Sequence, residues 1–115
     1  MIEFDHSRRF LAVRNSINGN IAWIFQISNT GDLHLLSLLV QESLIGTMAW
    51  HPTACALFLV CQNGAHVYTW QPDGCRCLQV PEGGACDLQF RQDGVGEMLL
   101  HGPRTFCLAF PEWIQ

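Results

Sequence analysis

Lysine is missing from the chain: all six basic residues are arginines, and ten acids bring the formal charge to −4 with histidine neutral. A domain that gathers phosphates needs a basic face, so this balance argues against a nucleic-acid partner. Charge of either sign is scarce at 14%, yet 49% of the residues are hydrophobic, which is the composition of a folded chain and not of a disordered one. No apolar run approaches the roughly 18 residues of a membrane-spanning helix; stretches such as Leu35 to Val40 stop far short, so no membrane partner is expected. The opening Met1-Ile2-Glu3-Phe4-Asp5 has no basic leader before an apolar core, and Asn-x-Ser/Thr does not occur. The expectation is a reducing, cytoplasmic setting. Cys-x-x-Cys, Gly-x-Ser-x-Gly and phosphate-cradling glycine loops are all absent. Nothing therefore announces a zinc knuckle, a nucleophile elbow or a nucleotide site, and the expectation is a non-enzyme without cofactor or metal.

What is present is a repeat. Phe4-Asp5-His6-Ser7 precedes the apolar run Phe10-Leu11-Ala12-Val13. Trp50-His51-Pro52-Thr53 precedes Ala56-Leu57-Phe58-Leu59-Val60, and Phe90-Arg91-Gln92-Asp93-Gly94 precedes Met98-Leu99-Leu100. The leading aromatics lie 46 and then 40 residues apart. A second set of markers, Trp23-Ile24-Phe25, Tyr68-Thr69-Trp70 and Leu108-Ala109-Phe110, keeps nearly the same period, at 45 and 40 when counted on Phe25, Trp70 and Phe110. Periods of this size belong to stacked supersecondary units.

Within each unit, short runs of branched and aromatic residues alternate with turn chemistry: Asn18-Gly19, Thr30-Gly31-Asp32, Asn63-Gly64, Asp73-Gly74 and Asp93-Gly94. Glycine at such places accepts the positive φ of hairpin turns. Strands are predicted near 2–4, 10–14, 21–27, 33–39, 44–50, 56–61, 66–70, 75–80, 86–91, 97–101 and 105–110. Leu35, Leu36, Leu38, Leu39 and Val40 would also suit a short helix. Leu57-Phe58-Leu59-Val60 and Phe106-Cys107-Leu108-Ala109-Phe110 are apolar on both faces and must be covered on both sides. Four-stranded units of about 40 residues, each sandwiched between its neighbours, are the blades of a β-propeller. An immunoglobulin-like sandwich accounts for the strand number but not for the repeat.

In Ile21-Ala22-Trp23-Ile24-Phe25-Gln26 and His66-Val67-Tyr68-Thr69-Trp70-Gln71 the chain resembles the WD-repeat family, whose third blade strand ends in an apolar run and Trp-Asp. Phe4, Trp50 and Phe90, each leading into a polar tight turn, resemble its first-strand ending. Gln26, Gln71 and Pro111 stand where the aspartate would be, and no Gly-His pair precedes a first strand. The buried Asp–His network of the family is therefore absent, and the expectation is that packing and ladder bonds alone hold the blades. Several segments, among them Phe10-Leu11-Ala12-Val13-Arg14-Asn15, Leu36-Ser37-Leu38-Leu39, Trp50-His51-Pro52 and Tyr68-Thr69-Trp70-Gln71-Pro72-Asp73-Gly74-Cys75, are similar in order to the C-terminal blades of centrosomal WD-repeat proteins. That resemblance implies a scaffold at centriolar satellites, centrosomes and spindle poles. It would bind a coiled-coil partner and serve microtubule anchoring and ciliogenesis.

The expected architecture is all-β: about two and three-quarter four-stranded antiparallel blades, with one blade over 1–40, a second over 44–80, an incomplete third over 85–110 and a tail over 111–115. A ring closes with about four to eight blades, so this chain cannot close alone. A terminal blade left wet would forgo burial of ~500 Å², or roughly 12 kcal/mol at ~25 cal/mol/Å². The expectation is a fragment or short isoform whose ends are covered by remaining blades or by self-association, or else a truncated product without activity of its own.

The reactive side chains read as structural. Six cysteines and five histidines invite a small metal or redox protein as the alternative, with Cys61 close to His66, His51 close to Cys55, and Cys75-Arg76-Cys77 as a third cluster. Cysteines within strands more simply behave as small buried hydrophobes, with Cys75 and Cys77 on one strand face. His6, His34, His51, His66 and His101 are assigned to turns and surface, and Arg8-Arg9 to a solvated hairpin loop. Trp23, Trp50 and Trp70, at repeat positions, are assigned to the core. Trp113, outside the repeat, is the one candidate partner-binding residue.

Overall fold

The computed structural model describes residues 1–62, 66–79, 87–91, 96–102 and 106–110. Eleven strands lie among them: β1 (Ile2–Phe4), β2 (Phe10–Val13), β3 (Ile21–Ile27), β4 (Leu33–Val40), β5 (Ile45–Trp50), β6 (Leu57–Cys61), β7 (His66–Gln71), β8 (Gly74–Gln79), β9 (Asp87–Phe90), β10 (Met98–His101) and β11 (Phe106–Ala109). Each falls within a residue or so of its predicted place. The ambiguous leucine-rich stretch is strand, because β4 is hydrogen-bonded to β3 along Ile21 to Ile27, with a bulge between Ile24 and Phe25.

The strands form three antiparallel meanders in chain order: sheet I (β1 to β4), sheet II (β5 to β8) and sheet III (β9 to β11). Short connections favour this, since a hairpin joins antiparallel neighbours with few residues. Three stacked sheets exclude the two-layer sandwich. Sheet II is the middle layer. One of its faces packs Leu57, Leu59 and Trp70 against Phe10, Ala12 and Ile24 of sheet I. The other packs Phe58, Val60 and Val67 against Leu88, Met98 and Leu100 of sheet III. Every residue of β6 is consequently buried, as an apolar run without alternation requires.

Strand register makes the repeat literal. Phe4 pairs with Leu11, which pairs with Phe25. Trp50 pairs with Leu57, which pairs with Trp70, and Phe90 pairs with Met98, which pairs with Ala109. The third unit thus puts Ala109 where Phe110 was expected; Phe110 lies one residue beyond β11 and is exposed.

Several expectations about single residues need correction. Trp50 and Trp70 are core, but Trp23 is only half-buried, because it points to the face of sheet I that no other sheet covers. Cys61 is buried, whereas Cys75 and Cys77 are exposed, on the outermost strand of sheet II. Gly31 and Gly74 take positive φ, but Gly19 does not. Gly19 is tight for another reason: a Cβ there would stand 3.2 Å from the Leu44 side chain.

The sheets are also joined by polar contacts, contrary to the expectation of packing and ladder bonds alone. The Trp50 indole N–H donates to the Glu3 carbonyl at 2.9 Å and the Trp70 indole N–H to the Ser37 hydroxyl at 3.0 Å, both linking sheet II to sheet I. The Thr47 hydroxyl donates to the Asp87 carboxylate at 2.8 Å, linking sheet II to sheet III. A buried indole N–H without a partner is costly, so each tryptophan fixes the position of its neighbour sheet as well as filling space.

Candidate functional site: a groove along the first strands

The first strand of each sheet ends in an aromatic, followed in sheets I and II by a tight turn. In all three, the residue after the aromatic donates its backbone N–H to a carbonyl at or just before the second strand: Asp5 to Phe10, His51 to Ala56 and Arg91 to Glu97, at 2.8–3.1 Å. The side chain at this position differs each time. Asp5 is buried, and its Oδ1 accepts the N–H groups of Arg9 and Phe10 while its Oδ2 accepts the Ser7 hydroxyl. That cradle holds Arg8 at a φ of 60°, a conformation non-glycine residues rarely take. Nδ1 of His51 accepts the N–H groups of Thr53 and Ala54. Arg91 reaches the Glu97 carboxylate at 2.9 Å. Arg8 and Arg9 are exposed in the first of these turns, as expected.

His51 departs from the surface role expected of the histidines: it is 6% exposed. Its ring packs edge-on to Phe90 with centroids 5.3 Å apart, and Phe90 in turn packs on Phe58 at 5.0 Å. Burial first, and then the charge of His6, lower the His51 pKa below its ordinary 6.5. With Nδ1 already accepting, the proton sits on Nε2, which faces Gly96. A Cβ on Gly96 would come within 2.6 Å of that nitrogen, and Gly96 has a φ of +90°. Glycine is required there on both counts.

β1, β5 and β9 with these turns bound an open groove of about 800 Å³. It is lined by the apolar Phe4, Met48, Trp50 and Phe90 and by the exposed polar side chains of Glu3, His6, Gln89 and Arg91. The chemistry on offer is recognition. The lone pair of His51 is committed to the turn, and burial and the Asp5 carboxylate push the nearby Cys55 thiol up to about 11, far from a nucleophilic thiolate. Cys61 is likewise raised by burial. Among the described residues no three His, Cys, Asp or Glu side chains converge as a metal site would need. Trp113 lies outside the described residues. The groove itself was not foreseen from sequence, although the thrice-repeated aromatic and polar turn was its signal.

No protein-family model matches the chain. It is 34% identical over 115 residues to the WD repeat-containing protein WRAP73 of Mus musculus, a match covering 97% of this chain and 24% of that protein. Its fold superposes on the β-propeller domain of Cps50 (Swd1) from Myceliophteria thermophila with a TM-score of 0.73. The chain is a partial WD-repeat β-propeller. The superposed parts of this chain and Cps50 are 16% identical in sequence and cover 95% of this chain and 39% of that one. The three sheets are blades, and the propeller is unclosed. It spans about a quarter of the mouse relative. The groove runs along the innermost strands of the blades, where a propeller has its axis.

Proposed function

We propose that this partial propeller is a non-catalytic platform for other proteins, and that the groove along β1, β5 and β9 is its docking surface. The observation that carries the reading is the groove's construction. Its aromatic lining is held by the inter-blade hydrogen bond of the Trp50 indole, and its polar groups are fixed in place: Glu3 and Gln89 on strands, His6 in the turn locked by Asp5, and Arg91 paired with Glu97. Rigid strands presenting loop side chains are the usual means by which such folds recognise partners. The likeness of the sequence's apolar words to the C-terminal blades of centrosomal WD-repeat proteins is what suggests a place for the chain in the cytoplasm, at centrosomes and spindle poles. There it would join a coiled-coil protein and contribute to microtubule anchoring and ciliogenesis.

The test is proximity labelling in dividing and ciliated cells, comparing the chain with a Glu3→Arg variant that reverses the charge of one exposed side chain of the groove and leaves the core side chains unchanged. The expected result is centrosomal enrichment with coiled-coil proteins among the labelled neighbours, and loss of those neighbours in the variant. A diffuse chain, or a variant that labels the same proteins, overturns the reading.

A further inference from the structure

The two end faces of the stack are not alike, and each is the counterpart of a face already buried inside the molecule. On the open side of sheet I, Phe4, Leu11 and Phe25 occupy the register positions of Trp50, Leu57 and Trp70 in sheet II. In sheet II those residues are covered by sheet I, and Trp70 is 3% exposed. In sheet I no sheet lies over the same positions: Phe4 is 50% exposed and Phe25 half-buried, although Leu11 between them is 8% exposed. The open side of sheet III, carrying Leu99, Phe106 and Leu108, is the side that sheets I and II each turn toward the next sheet. Phe106 is 74% and Leu108 62% exposed. One molecule therefore carries both halves of the interface it uses internally, one at each end.

We propose that two copies of this chain close on each other, the open face of sheet I in each copy packing on the open face of sheet III in the other. The arrangement has two-fold symmetry, uses the same contact twice and yields a ring of six sheets, within the roughly four to eight of closed propellers. Charge permits it: Ile2, Phe4, Trp23, Leu35 and Leu38 give the sheet I face no carboxylate, and Asp87 at the start of β9 is tied to the Thr47 hydroxyl. Area also favours it. The surface of the chain is 6981 Å², against about 6,300 Å² for a compact monomer of 12.9 kDa. The excess of about 700 Å² is close to the ~800 Å² that each partner contributes to a standard interface.

Sedimentation of the full chain at micromolar concentration tests this, with two exposed-site variants checked for folding by circular dichroism: Leu35→Arg on sheet I and Leu108→Arg on sheet III. The expected mass is twice the 12.9 kDa of the chain. Each variant alone should weaken association by at least about tenfold, since both contacts of its homodimer are spoiled. An equimolar mixture should regain association, because the mixed pair keeps one unspoiled contact. A monomeric wild type, which would leave these faces to other blades, overturns the proposal. So does an oligomer that keeps growing with concentration, or a mixture that gains nothing over the separate variants.

Discussion

The hydrogen bond from the Trp70 indole to Ser37 links the two best-packed blades, and a double-mutant cycle on it measures whether polar contacts between blades carry energy. Trp70 is buried against Phe10 and Trp50, with ring centroids 6.1 Å from each. Trp70→Phe removes the N–H donor and part of the ring, and should cost about 2–3 kcal/mol: roughly 1 for the hydrogen bond and the remainder for lost burial and the cavity. Ser37→Ala leaves the indole N–H buried without a partner and should cost about 1–2 kcal/mol. Once the donor is gone, removing the hydroxyl costs little, so the double variant should fall short of the additive cost by about 1 kcal/mol. Urea titrations followed by circular dichroism at one protein concentration would read this. At a slope of about 2 kcal/mol/M, Trp70→Phe should lower the midpoint by about 1 M or more and Ser37→Ala by about half that. Strict additivity would refute the reasoning and return the blades to apolar adhesion alone.

Asp5→Ala removes the acceptor for two backbone N–H groups and the Ser7 hydroxyl, and should cost about 2–3 kcal/mol in the same titration. Asp5→Asn, which keeps Oδ1, should cost less than half as much. Because the folded His51 has a lowered pKa, the unfolded chain binds more protons near that pH. Its contribution to stability is complete above its ordinary value of about 6.5 and is lost as pH falls. Stability measured from pH 7.5 to 5.5 should therefore decline more steeply in the wild type than in His51→Asn, and equal slopes would contradict the assignment. The Thr69 hydroxyl is buried with no hydrogen-bond partner among the described residues. Thr69→Val should accordingly be neutral or stabilising by about 1 kcal/mol, and a marked loss of stability would reveal a partner.

The cysteines and histidines show where legibility stopped. Cys75 and Cys77 lie two residues apart, so their common face followed from strand geometry. Their exposure depended on how far sheet I extends over sheet II, which no local pattern encodes. His51 read as one of five turn histidines. Its burial comes from Phe90 and Gly96, about 40 residues away in the chain, and only blade stacking brings these together. The groove is hidden from sequence for the same reason: its walls are three strands from three repeats.

By itself the sequence determined the strands, their three-fold grouping and the antiparallel order within each group. Those follow from periodicity, turn chemistry and the short reach of hairpins, all of which are local. The tertiary structure alone decided which face of each sheet is covered, why Trp70 is core while Trp23 is not, and which side chains bridge the blades. It also decided that the two open ends are opposite halves of one interface. Burial and long-range hydrogen bonds belong to pairs of segments, and a pair has no address in the sequence until the fold supplies one.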